Sequence, residues 1–101
     1  MHVRMARYTT TTDPHELIER AEDGLLPLFE SHEGFRAYSV VASGNEIFSF
    51  SVWESAEQAE AANEAAAAWV AENMADEITV VETNIGELLI STALGVSAAR
   101  V

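Results

Sequence analysis

The stretch from Phe35 to Trp53 constrains this chain more than any other. It reads F-R-A-Y-S-V-V-A, then S-G-N, then E-I-F-S-F-S-V-W. Two alternating runs rich in aromatic and β-branched residues flank a Gly-Asn turn signal, the sequence form of a β-hairpin. With Gly44 and Asn45 as the loop, the spacing predicts Ser43 opposite Glu46, Val41 opposite Phe48, Ser39 opposite Phe50 and Ala37 opposite Val52. The alternate row pairs Ala42 with Ile47, Val40 with Ser49, Tyr38 with Ser51 and Arg36 with Trp53. An antiparallel sheet with one solvated face shows a polar alternate row, and here neither row is polar. Both faces of this sheet are therefore expected to be covered.

A chain of 101 residues is one domain, 1–101, burying roughly 65% of its unfolded surface. That is too little material to cover both faces of a sheet, so a partner subunit is expected. The chain has no cysteine, which excludes a disulfide framework, a thiolate nucleophile and Cys-ligated metal sites. It starts without the apolar core of a signal peptide and contains no run long enough to span a membrane, so a cytoplasmic protein is expected. The net charge is −12, with five arginines and no lysine. Such a surface repels phosphate backbones and anionic lipid, so neither nucleic acid nor membrane is an expected partner. The acids are spread along the chain without the spacing of a calcium loop, and no metal is expected.

Val3 to Thr11 alternates and reads as a first strand. Asp13-Pro14-His15-Glu16 then opens a helix with an Asp N-cap, Pro at the first position and Glu in capping-box spacing. Leu17, Ile18, Ala21, Leu25, Leu28, Phe29 and His32 share one face. Gly24 and Pro27 predict a kink or a break near Asp23 to Leu26. Ser55 with Gln58 caps a second helix to about Asn73, its inward stripe Ala59, Ala62, Ala66, Trp69, Val70 and Asn73, with Asn63 on the margin. The alanines either bring this helix close to the sheet or leave room for a ligand, with close packing favoured. Ile78 to Ile85 and Leu88 to Ser91 read as a last strand and an extended tail, broken by a bend or bulge at Gly86. Residues 95–101 are expected to fray.

The order strand, helix, strand, strand, helix, strand predicts an α+β, ferredoxin-like βαββαβ unit with a four-stranded antiparallel sheet. A homodimer packing two such sheets face to face would supply the missing cover. The row holding Arg36, Tyr38 and Val40 is assigned to that dimer interior, so a charge at Val40 is expected to dissociate or unfold the protein.

The run E-G-F-R-A-Y-S-V-V, the hairpin ending V-W-E-S, the Ala-rich helix ending A-A-W-V-A-E-N and a last strand closing on I-G-E-L together resemble the antibiotic biosynthesis monooxygenase family of dimeric α/β barrels. The similarity covers nearly the whole chain. It implies a dimer with ligand pockets between sheet and helices. It also implies a possible cofactor-independent oxidation of a small aromatic or phenolic compound by molecular oxygen. Residue types used by phenol-oxidising members match Asn63, Trp69, Tyr38 and Arg36, and Phe50 joins them as a pocket candidate. The catalytic residues stay unassigned. Haem-degrading members need a histidine after the helix tryptophan, and this sequence has none after His32. Each candidate also has a plain structural reading: Trp69 as core, Asn63 as a boundary residue, Arg36 stacked on Trp53, Tyr38 in the interface. The alternative to an enzyme is a non-catalytic dimeric module that binds a small hydrophobic ligand or is purely structural.

Overall fold

A computed structural model describes residues 1–97. It contains β1 (His2–Thr10), α1 (Pro14–Glu30), β2 (Phe35–Ser43), β3 (Glu46–Trp53), α2 (Ala56–Asn73) and β4 (Ile78–Glu87). The strands form one antiparallel sheet in the order β2-β3-β1-β4. This is the ferredoxin-like α+β unit expected from the sequence.

The hairpin register agrees with the sequence reading from Ser43↔Glu46 through Ala37↔Val52, and at its open end it does not. Phe35, rather than Arg36, stands opposite Trp53, and the register shifts between Phe35 and Ala37. Arg36 is the extra residue of a bulge. It points to solvent and meets Glu54 at 3.2 Å, so it does not stack on Trp53. The bulge also moves Phe35 into the row below the helices, where its ring lies 5.4 Å from that of Trp53.

The two faces of the hairpin are the reverse of the expected assignment. Ile47, Ser49, Ser51 and Trp53 on β3 and Arg4, Ala6, Tyr8 and Thr10 on β1 are buried beneath the helices. Tyr38 and Val40 point the same way and pack against this core. Phe48, Phe50 and Val52 face the other side and are only half-buried. The reason is shape. The inward stripe of α2 is Ala59, Ala62 and Ala66, each fully buried, and their small side chains leave room for the large ones that rise from the covered row, Arg4, Tyr8 and Trp53.

Both helices begin where their caps dictate. Asp13 Oδ1 accepts from the His15 N–H at 3.1 Å, and Ser55 Oγ accepts from the Gln58 N–H at 3.2 Å. Helix α1 runs through Pro27 as one element, so the expected break into two segments does not occur. Its buried residues Leu17, Ala21, Leu25 and Phe29 recur every fourth position, and this continuous packed stripe holds the helix together despite the hydrogen bond that proline removes. Phe29 stands edge-on to Tyr38 at 5.2 Å and to Trp53 at 5.6 Å. Arg20 on α1 and Thr12 before it both reach Glu77, and the Arg20 hydrogen bond holds that carboxyl below its usual range.

At Gly24 the helices come close together, since a Cβ there would run into the indole of Trp69. Strand β4 continues through Gly86, and its irregularity lies instead near Val81, between the pairs Arg7↔Glu82 and Tyr8↔Val80. Beyond β4, no strand spans Leu88 to Ser91. Leu88 N–H bonds Met1 C=O, and Ser91 and Val96 close a turn by exchanging two 2.9 Å hydrogen bonds. Gly95 and Val96 of the tail expected to fray thus lie in that turn, and residues 98–101 lie outside the described residues.

Gly24→Ala should improve intrinsic helix propensity by about 1 kcal/mol yet cost about 1–3 kcal/mol through overpacking against Trp69. We expect a net loss of stability in urea denaturation and an altered tryptophan emission. Adding Trp69→Leu should recover the loss.

Candidate functional site

Where α2 carries alanine the layers close, and where it ends in Trp69 and Val70 they part. The space between the sheet and the two helices there is a slot of about 30 Å³ open to a water-sized sphere. Leu17, Ile18, Ala21 and Leu25 of α1 form one wall, Trp69 and Val70 of α2 another, and Tyr8, Tyr38, Val40, Ile47 and Ser49 the floor. Four of these residues, Ile18, Ala21, Tyr38 and Val40, also line an outer groove of about 420 Å³ between α1 and the free edge of β2, with Glu22 at its rim. The slot and the groove thus adjoin along β2.

The slot is apolar apart from three hydroxyls and the indole. Ser49 Oγ is buried without a well-formed hydrogen bond among the described residues, and the Tyr38 hydroxyl is its polar neighbour. Burial pushes the Tyr38 phenol above its ordinary value, and the nearby Ser49 hydroxyl offsets this in part. The Tyr8 hydroxyl accepts a hydrogen bond from Arg4 Nη2 at 3.0 Å. Arg4 Nε in turn donates to Asn63 Oδ1 at 2.9 Å. The arrangement offers a narrow apolar slot with hydroxyls on its floor, so a ring carrying an oxygen would sit partly in the outer groove with its polar end towards the slot.

Of the five candidates read from sequence, Trp69 and Tyr38 meet at the slot. Asn63 does not reach it and is linked only through Arg4 and Tyr8. It borders a separate depression with Thr83, Asn84 and Ile85 on the β4 side. Phe50 is on the opposite face, in a hollow with Met5, Arg7 and Phe48, because the helices cover the other row of the hairpin. Arg36 is carried to solvent by its bulge. Sequence reasoning missed Arg4, Tyr8 and Ser49. The available signal was the alternation of β1, which places Arg4, Ala6 and Tyr8 in one row, so that a charge shares a face with two core residues. Among the described residues no group of three or more His, Asp or Glu is placed to hold a metal ion, and no helix is long and apolar enough to cross a membrane.

No protein-family profile matches the sequence, and no curated protein matches it. Solved structures do. SnoaB, a cofactor-independent oxygenase from Streptomyces nogalater, superposes with a TM-score of 0.71 at 16% identity, covering 90% of this chain and 95% of that one. The fold is the one these oxygenases use. A candidate antibiotic biosynthesis monooxygenase from Nitrosomonas europaea gives 0.69 at 18% identity, covering 89% of this chain and 100% of that one. Another from Chloroflexus aurantiacus gives 0.64 at 15%, covering 93% and 98%. SnoaB has also been crystallised with one asparagine changed to alanine.

Because burial raises the folded-state value of Tyr38 above the ordinary 10.0, the unfolded phenol ionises first. Its contribution to stability is present below that ordinary value and is lost as pH rises through it towards the folded value. Tyr38→Phe should remove this alkaline loss, seen as a flatter stability profile above pH 10 and a missing phenolate signal in difference absorbance.

Proposed function

We propose that this chain is a homodimeric, cofactor-independent monooxygenase of the antibiotic biosynthesis type, acting on a small aromatic or phenolic compound. The observation that carries this reading is the slot beside Trp69, apolar and floored by Tyr8, Tyr38 and Ser49. The fold shared with a cofactor-independent oxygenase supports it. In such a reaction the ring of a deprotonated phenol passes an electron to molecular oxygen, and the two radicals join in a carbon–oxygen bond. The O–O bond then breaks, leaving one oxygen on the ring as a quinone carbonyl and the other in water. The protein would contribute desolvation, orientation and hydroxyl donors. With no cysteine to need an oxidising compartment, we place the protein in the cytoplasm.

The homodimer would form through the open sheet face. Phe48, Phe50, Val52, Val3 and Met5 leave a half-buried apolar surface there that no helix among the described residues covers, flanked by the exposed Val41. Surfaces of this kind mark association sites. The small size of the slot favours a second reading, a dimeric module that binds a small hydrophobic ligand without turning it over, since a fused ring would have to reach into the outer groove.

Oxygen-electrode measurements with hydroxylated naphthalenes distinguish these readings. Uptake above autoxidation, with quinone formed in equal amount, is expected for the oxygenase. Saturable binding without uptake would leave the binding module. For the dimer, Phe50→Asp should shift the mass from dimer to monomer in light scattering. A retained dimer would reject the open face as the interface.

A further inference from the structure

We propose that Arg4 is a positioning residue that acts through Tyr8 to make the slot bind a ligand hydroxyl as its anion. The inference rests on the reading of the slot as a ligand-binding site. In a chain with seventeen carboxylates, arginines find acids easily, and three do: Arg7 meets Glu46 and Glu82, Arg20 meets Glu77, and Arg36 meets Glu54. Arg4 is the most buried of the described arginines, at 1% exposure, and no carboxylate among the described residues pairs with it. A guanidinium is charged at any working pH, so this is a fixed positive charge placed in the interior without a counter-ion. Such a charge is costly where it does nothing, and it is a device for stabilising an anion where a ligand can use it.

The geometry says how the charge reaches the slot. Arg4 Nε is held by Asn63 Oδ1 and Nη2 donates to the Tyr8 oxygen, while Nη1 is buried with no partner. The Tyr8 oxygen already accepts from the guanidinium, so its own O–H is free to donate into the slot that its ring lines. A donor backed by a cation gives a stronger hydrogen bond, and most of all to an anionic oxygen. Nothing on the slot walls opposes this. The titratable groups there are Tyr8 from β1 and Tyr38 from β2, while α1, α2, β3 and β4 contribute apolar side chains, the Ser49 hydroxyl and the Trp69 indole. Arg4 also favours the ionised form of the Tyr38 phenol, so its charge is felt across the slot.

The exterior has the opposite sign. A net charge of −12, with Glu22 at the groove rim, disfavours approach of an anion. The ligand therefore enters neutral along β2 and ionises inside, its proton passing to solvent through the same groove. Asn63 holds the guanidinium in place for this task, and it needs no contact with the ligand.

The test uses 4-nitrophenol, whose anion absorbs visible light, titrated with pH on the intact protein, alongside nitrobenzene as a neutral control. The bound phenol should ionise about one pH unit below the free one, a roughly tenfold preference for the anion. Tyr8→Phe and Arg4→Met should each abolish most of that shift, and Arg4→Lys should restore part of it, while nitrobenzene reports whether each variant still takes a ring into the slot. If Arg4→Met fails to fold, Tyr8→Phe decides alone. An unshifted midpoint in the native protein, or one unchanged in Tyr8→Phe, overturns the proposal while ligand binding stands. A shift without oxygen uptake by any phenol sustains it and removes the oxygenase. No binding of either probe removes the ligand-binding reading and the proposal together.

Discussion

The seating of α2 on the sheet decides most of the interior arrangement of this protein. Ala59, Ala62 and Ala66 are fully buried on its inner side, and their small side chains let the helix lie close over a sheet row that carries Arg4, Tyr8 and Trp53. Close packing leaves little room for water, so polar groups beneath find partners in the protein, with Ser49 Oγ and Arg4 Nη1 left over. Trp53 Nε1 does so at Ser51 Oγ, 2.9 Å away. Arg4 does so at Asn63 and Tyr8. The same seating sets the position of the slot, which opens only where the helix exchanges alanine for Trp69 and Val70 and where Gly24 lets α1 come up against the indole.

Charge is organised in two layers around this packing. Carboxylates dominate the outside and take up Arg7, Arg20 and Arg36 in exposed or half-exposed pairs, which contribute little to stability individually. Inside, the polarity is reversed, with one guanidinium and the hydroxyls of Tyr8 and Ser49 in otherwise apolar surroundings. A low-dielectric interior strengthens such interactions relative to the same groups in water. Catalysis by desolvation and donor placement asks for an interior of this kind more than for a nucleophile or an acid–base pair. The slot provides the first, and neither carboxylate nor imidazole lines it.

Local features were legible in the sequence wherever the cause was local. The Gly44-Asn45 loop sets the hairpin register by turn geometry, and Asp13 and Ser55 start helices by satisfying the first free N–H groups. Trp69 is legible as an inward residue of α2 from its helical spacing, whereas Tyr38 sits on the row expected to face a partner subunit and reaches the slot because the helices cover that row instead. Arg36, Phe50 and Asn63 went elsewhere, each for a tertiary reason. One bulge turns Arg36 outward. The flatness of α2 sends Phe50 to the opposite face. A hydrogen bond across 59 positions of sequence commits Asn63 to Arg4. Pro27 is a similar case, since local chemistry forecasts a break and the packing of Leu25 and Phe29 on either side of it keeps α1 whole.

The sequence alone determined the order of elements, the hairpin register and the helix starts, because period, turn chemistry and capping act over a few residues. Only the tertiary structure decided which face of the sheet the helices cover, since both rows of the hairpin are apolar and hydrophobicity cannot choose between them. That choice rested on complementarity of shape between an alanine helix and a sheet row that carries Arg4, Tyr8 and Trp53. It is also what buried Arg4 and brought Tyr8, Tyr38 and Trp69 to one slot.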